Sequence, residues 1–266
     1  MKDIQGIILD LDGVLWRDRE PIGNLQQIFS RLKELNLQVM LATNNATRTP
    51  RQYVEKLLGF GVEISEGQVV NSAIAAAHLL TQRFPQGGPL YIIGEAGIRT
   101  AVQQHGFTLV EDFSSNVMPL AVVVSMDREV TYQKLRAATL FIRAGAAFYA
   151  TNTDRTFPTP FGLVPGAGAI VAAVSTATDQ NPIVAGKPHP AMIQICLDKM
   201  GLQPAQVLVV GDRLETDIAG GQAAGCYTAL VLSGVSTRQQ AEGWQPQINV
   251  IASNLTSLLN AWPPFE

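Results

Sequence analysis

Two aspartates two residues apart, Asp10 and Asp12, stand directly after the apolar run Gly6-Ile7-Ile8-Leu9 and just before Gly13-Val14. The run reads as a strand buried on both faces, as in the centre of a parallel sheet. A carboxylate beside it is costly unless a cation or a reaction holds it there. Residues two apart in an extended chain point the same way, so both acids face one spot. Two anions facing one spot call for a metal ion or a shared proton. Other apolar runs end in the same manner: Gln38-Val39-Met40-Leu41-Ala42 in Thr43, Asn44 and Asn45, Val207-Leu208-Val209-Val210 in Gly211 and Asp212, and Ile183-Val184-Ala185 in Gly186 and Lys187. In an open parallel sheet such strand ends share one edge, where ligands bind. The carboxylates suit Mg2+, and the Thr hydroxyl, Asn amide and Lys ammonium suit the oxygens of a phosphate.

The elements that must carry these groups alternate between strand and helix. Leu25, Ile28, Phe29, Leu32 and Leu35 are spaced for one buried helix face. Thr49-Pro50-Arg51-Gln52 starts a helix with proline at its first position, followed by a strand at Val69-Val70 and a helix from Ser72 to about Arg83. Phe84-Pro85-Gln86-Gly87-Gly88-Pro89 and Asp179-Gln180-Asn181-Pro182 break the alternation. Between them lies a second α/β run, with strands at Leu90–Ile93, Phe107–Val110, Ala121–Ser125 and Ala147–Ala150. The expectation is an α/β protein: a Rossmann-like parallel-sheet core of residues 1–84 and 182–266, interrupted by an α/β domain of residues 85–181. In this reading Ile183–Ala185 resumes the core sheet, and Tyr227–Leu232 and Val250-Ile251 complete it.

The 266 residues are 47% hydrophobic and 15% charged, enough apolar material for a substantial core. Nineteen Lys plus Arg against 22 Asp plus Glu, without a basic run, argue against a nucleic-acid partner. No apolar run approaches the ~20 residues of a membrane span. Cys196 and Cys226 lack metal-type spacing, and Lys2-Asp3 before a short strand is no export signal, so a cytoplasmic protein is expected. His78, His105 and His189 share no metal-ligand spacing. Gly166-Ala167-Gly168 follows a proline and lacks a third glycine, which excludes a dinucleotide fingerprint.

Four segments, Asp10-Leu11-Asp12-Gly13-Val14, Ala42-Thr43-Asn44-Asn45, Gly186-Lys187-Pro188-His189-Pro190 and Gly211-Asp212-Arg213-Leu214-Glu215-Thr216-Asp217, resemble the four motifs of the haloacid dehalogenase (HAD) superfamily, in order. The long insertion between the second and third, with Thr151-Asn152-Thr153-Asp154 and Pro165-Gly166-Ala167-Gly168-Ala169, resembles the cap of the NagD-like, 4-nitrophenylphosphatase-type branch, as does Leu232-Ser233-Gly234-Val235 after the fourth motif. The resemblance implies a Mg2+-dependent phosphatase of small phosphomonoesters: sugar phosphates, nucleoside monophosphates or phosphoglycolate. It makes Asp10 the nucleophile that forms an aspartyl-phosphate, and Asp12 the acid that protonates the leaving oxygen and then activates water. It gives Mg2+ the side chains of Asp10 and Asp212 and the backbone carbonyl of Asp12. Thr43 and Lys187 bind the phosphoryl group, Asn44 and Asn45 line the same site, and Asp217 orients Lys187 or the metal's waters. Asp154 and Arg155 are candidates for substrate selection in the cap, and a homodimer through the cap is a candidate assembly. Asp12 itself favours phosphate over halide chemistry, since expelling halide needs no acid.

Two other readings stay open at this level. Transfer to an acceptor other than water, as in a mutase, uses the same groups. A metal- and phosphate-binding regulatory protein with little turnover would share the acidic pocket, because function does not follow from fold.

Overall fold

A computed structural model describes residues 3–113, 117–159 and 161–263. The chain divides into two compact units, one of residues 1–43, 50–70 and 187–266, the other of residues 44–49 and 71–186.

The first unit is built on a six-stranded sheet with the order Val250–Ala252, Tyr227–Val231, Val207–Gly211, Gly6–Leu9, Gln38–Thr43, Val69–Asn71. The central pairs run parallel, with Leu9 opposite both Val210 and Leu41. Gly6–Leu9 and Val207–Gly211 are buried at every position, which is why they read as continuous apolar runs rather than alternating ones. The helix Leu25–Glu34 starts at Asn24, whose side chain accepts from the Gln27 N–H, and buries Leu25, Ile28 and Leu32. Ile7, Leu9, Leu32, Leu41, Leu57, Leu208 and Val210 lie in one core cluster on the sheet. This cluster fixes the strands whose ends carry the chemistry.

The second unit has its own five-stranded sheet, ordered Ile183–Val184, Ala147–Ala150, Ala121–Val124, Gly88–Ile93, Phe107–Val110, with every neighbouring pair parallel. Tyr91, Val122, Val124, Phe141 and Val171 belong to its core. An antiparallel hairpin, Thr156–Thr159 with Gly162–Pro165, forms a separate two-stranded sheet; the sequence pattern shows no sign of it, because two prolines interrupt the alternation.

The α/β architecture with an inserted cap is as expected, but two details differ. The breaks at residues 84–89 and 179–182 are not where the compact units divide. The helix Ser72–Arg83 packs against Ala96–Gln104 within the second unit, so Phe84–Gly87 is a turn inside that unit, and Gly88 and Pro89 already belong to its strand Gly88–Ile93. Ile183–Val184 does not resume the core sheet: it pairs with Tyr149 and Ala150 in the second sheet. A two-residue strand carries too little pattern to say which sheet it joins. Lys187 therefore follows a strand of the other sheet and is the first residue of the returning first-unit chain. No helix among the described residues is long and apolar enough to cross a membrane.

Candidate active site

The register of the first sheet accounts for the convergence of its acids. Leu9 pairs with Val210, and the Asp10 N–H donates to the Val210 carbonyl at 2.9 Å, so Asp10 and Asp212 leave adjacent strands at nearly the same level. Thr43 ends the strand on the other side of Gly6–Leu9 and is 3% exposed. Oxygens of Asp10, Asp212 and Asp217 lie within 4.8 Å of one another.

Lys187 is buried among these acids. Its Nζ donates to Asp10 Oδ1 at 2.7 Å and to the Ala42 carbonyl at 2.7 Å, and pairs with Asp217 Oδ1 at 2.6 Å. Three oxygens match the three donors of an ammonium group. Although it does not follow a core strand, its long stem places the charge at the strand edge. The helix Ala191–Met200, which begins shortly after it, packs on both Gly6–Leu9 and Gln38–Thr43. Desolvation pulls the Lys187 pKa down, but the Asp10 and Asp217 carboxylates outweigh it and leave the ammonium more firmly protonated than a free lysine.

Asp217 reaches the cluster through an unusual turn. Residues Leu214–Ile218 form one π-helical turn, in which the Arg213 carbonyl accepts from both the Asp217 and Ile218 N–H groups. The widened turn brings Asp217 Oδ2 onto the Arg213 N–H at 3.1 Å, leaving Oδ1 for Lys187. Such insertions occur disproportionately at functional sites.

Asp212 is clasped by the segment Ser233–Ser236. The Val235 N–H donates to Asp212 Oδ2 at 2.7 Å, and the Ser236 N–H donates to the Asp212 carbonyl. Ser233 Oγ donates to the Gly13 carbonyl at 2.7 Å, and Arg17 Nε donates to the Ser233 carbonyl at 2.8 Å. A Cβ on Gly13 or Gly234 would collide with the Asp212 carboxylate, and Gly13 has a φ of +89° besides. The two glycines let two loops close on one acid. Leu232-Ser233-Gly234-Val235 is thus a structural clasp, a role its sequence does not announce.

The first unit's buried charges, Asp10, Asp212 and Asp217 against Lys187, sum to an excess of negative charge that fits a divalent cation. Asp212 Oδ1 is buried with no hydrogen-bond partner. Burial, then the neighbouring Asp217, pushes the Asp212 pKa up to about 7 against the pull of the Val235 N–H. Burial also raises Asp10 well above the carboxylate range, partly offset by Lys187. An oxygen-only donor set of this kind suits Mg2+. Because the folded pKa of Asp212 is raised, ionising it costs the cation-free protein stability as pH climbs from the ordinary carboxylate range towards about 7. Mg2+ is therefore expected to raise the melting temperature more at pH 8 than at pH 5.5, where a proton competes for Asp212. Equal shifts at the two pH values, read by scanning fluorimetry, would count against a cation at these acids.

Asp12 sits beside the cluster on the Leu11–Trp16 turn, and its Oδ1 accepts from the Trp16 indole N–H at 2.9 Å. Sequence pattern does not mark Trp16 as a site residue; the only signal is an aromatic four positions after the acid.

The remaining expected residues belong to the second unit. Asn44 Nδ2 donates to both carboxylate oxygens of Asp154 at 3.3 Å, and the Asn44 carbonyl accepts from Ser72 Oγ and Asn152 Nδ2. Asn45 Oδ1 accepts from the Thr47 N–H and hydroxyl, an Asx turn. A Cβ on Gly166 or Gly168 would strike the backbone of residues 153–156, so these glycines let the Asp154–Arg155 loop reach the start of the helix Ala167–Thr178. Arg155 is exposed.

The chain is similar to known proteins over most of its length. Residues 7–108 match the haloacid dehalogenase-like hydrolase family, and residues 184–258 match a HAD-hydrolase-like family. An acid sugar phosphatase of Staphylococcus aureus is 36% identical over 242 residues, covering 91% of this chain and 92% of that protein. A 4-nitrophenylphosphatase from Thermotoga maritima superposes with a TM-score of 0.90 at 31% identity, covering 98% of both chains. A glycerol phosphate phosphatase from Mycobacterium tuberculosis, solved with magnesium, gives 0.89 at 36% identity, covering 97% of this chain and 79% of that one. The chain belongs to the haloacid dehalogenase-like hydrolases, in the NagD-like, 4-nitrophenylphosphatase-type branch, and is a HAD-type phosphatase.

Proposed function

We propose that the protein hydrolyses small phosphomonoesters through an aspartyl-phosphate on Asp10 with Mg2+ as cofactor, and that sugar and glycerol phosphates are its first substrate candidates. The observation that carries this is the buried set of Lys187 with Asp10, Asp212 and Asp217 at one sheet edge. Asp10 and Asp212 would hold the ion, with the Asp12 carbonyl as the backbone ligand that the family resemblance implies. When bound, Mg2+ supplies positive charge against the phosphate oxygens.

The protein's own groups divide the remaining work. The Asp10 carboxylate attacks phosphorus and forms an acyl phosphate, a mixed anhydride, which splits one hard displacement into two easier ones. Lys187 is already charged and desolvated, so it opposes the charge on the phosphoryl oxygens without reorganisation. Asp217 holds Lys187 in that place. Thr43 offers a hydroxyl to the same oxygens. Asp12 gives a proton to the leaving oxygen, then takes one from the attacking water. Asp154 and Arg155 remain candidates for substrate selection in the cap, with Asn44 and Asn45 as polar groups at the start of the linker after Thr43. The sugar- and glycerol-phosphate assignment draws on the two relatives named for such substrates.

The test is phosphate release by the purified protein from 4-nitrophenyl phosphate, sugar phosphates, glycerol phosphate and nucleoside monophosphates, with Mg2+ and with EDTA. Mg2+-dependent free phosphate with the sugar or glycerol esters leading is the expected result. Phosphoryl transfer to a second sugar without free phosphate would mean a mutase, and turnover unchanged in EDTA would remove the cofactor.

A further inference from the structure

The turn after Asp10 folds back on itself. The Leu15 N–H donates to the Leu11 carbonyl at 2.9 Å and the Gly13 N–H to the Trp16 carbonyl at 2.7 Å, which returns Trp16 beside Asp12. Trp16 is 1% exposed and begins a short antiparallel hairpin, Trp16–Arg17 with Glu20–Pro21. Lys56, on the helix Pro50–Gly59, lies 3.8 Å from the centroid of the indole and donates from Nζ to the Asp18 carbonyl at 2.8 Å. One lysine thus pins both the ring and the hairpin that carries it, a cation–π contact with a hydrogen bond. Phe60 packs against the same ring with 6.2 Å between centroids.

An indole N–H can donate but cannot accept. The oxygen it touches must therefore present a lone pair, whether the carboxyl is charged or protonated. We propose that Trp16 is the positioning residue for Asp12: its hydrogen bond claims Oδ1 as acceptor and makes Oδ2 the oxygen that carries and passes the proton. This rests on the phosphatase reading. In the first step the Asp10 oxygen–phosphorus bond forms, the bond to the leaving oxygen breaks, and the Asp12 Oδ2 proton moves to that oxygen. In the second, Oδ2 takes a proton from water as the water oxygen bonds to phosphorus, and the Asp10 oxygen–phosphorus bond of the acyl phosphate breaks to release inorganic phosphate. Without the indole, the carboxyl loses the donor that fixes Oδ1 as acceptor, and its proton is less well aimed at the leaving oxygen. The ordinary alternative is that Trp16 is a core side chain whose N–H merely found a partner.

Leaving groups separate the two. A good leaving group departs without an acid, and a poor one needs it. The experiment compares kcat/KM, which covers the steps up to alcohol release, along a series from 4-nitrophenyl to 4-methoxyphenyl phosphate. Two variants are used: Trp16→Phe, and Trp16 replaced by benzothienylalanine, which keeps the ring and exchanges the N–H for sulfur. In both, the 4-methoxyphenyl ester is expected to lose on the order of 10-fold more than the 4-nitrophenyl ester, steepening the dependence on leaving-group basicity. A parallel fall across the series, or no fall with benzothienylalanine, overturns the proposal and leaves the phosphatase reading intact. A wild-type protein that turns over none of the series removes both.

Discussion

Asp10→Asn is expected to lower kcat/KM for 4-nitrophenyl phosphate by at least about four orders of magnitude, the scale seen when a covalent nucleophile is removed. The same variant is expected to be no less stable than wild type in EDTA at pH 8. Asp10 sits where burial, Asp212 and Asp217 all disfavour its charge, and only Lys187 favours it. An amide of the same shape removes one anion from a crowded set and still offers an oxygen to Lys187. Because the folded pKa is raised, the penalty of ionisation is absent at low pH and grows as pH rises. The stability advantage of the variant should therefore widen from pH 5 to pH 8 and shrink when Mg2+ is added to both proteins. Dead enzyme with an unharmed melting temperature would place Asp10 in the chemistry. A variant that is merely unfolded, or that keeps wild-type turnover, would remove it.

Lys187→Met carries the largest expected stability effect. It leaves three buried carboxylates facing one another within 4.8 Å with their common cation gone. Breaking a buried ion pair from one side costs about 3–5 kcal/mol, and here two acids are stranded rather than one. The raised pKa of Lys187 keeps the wild-type ammonium charged throughout the range from pH 5 to 9, so its own titration contributes no slope there. The slope in the variant comes from the acids. Urea denaturation should find the deficit greatest at pH 8 and smaller at pH 5, where the carboxyls take up protons. A deficit under 1 kcal/mol at pH 8 would show that the cluster tolerates its charge without the lysine. Turnover should fall by about 10³-fold or more even where the variant is folded, since the phosphoryl charge loses its fixed partner.

The sequence is informative where burial on both faces makes a strand read as an unbroken apolar run. Gly6–Leu9, Gln38–Thr43 and Val207–Gly211 are such runs, and each ends in a polar group that the sheet register brings to one edge. Lys187 is legible as a residue type within a motif, but not as a position. The strand before it is two residues long, and no local pattern tells one parallel sheet from another. Asn44 and Asn45 read as continuing from Thr43 because they come next in the chain, yet their side chains are engaged with Asp154 and Thr47. Trp16 stays hidden for a different reason. A tryptophan in an apolar stretch is ordinarily core, and only the backbone turn that returns it to Asp12 makes its N–H part of the site.

The widened turn at Leu214–Ile218 bears on how this protein can be engineered. Local rules would prefer a regular helix there, and deleting one residue would supply it. That deletion would remove the widened turn that sets Asp217 against the Arg213 N–H, and carry Asp217 off the lysine it holds. A stabilisation campaign guided by helix regularity would select for that change and lose Lys187's anchor in the same step. The irregular turn is therefore a position to hold fixed while the rest of the surface is varied.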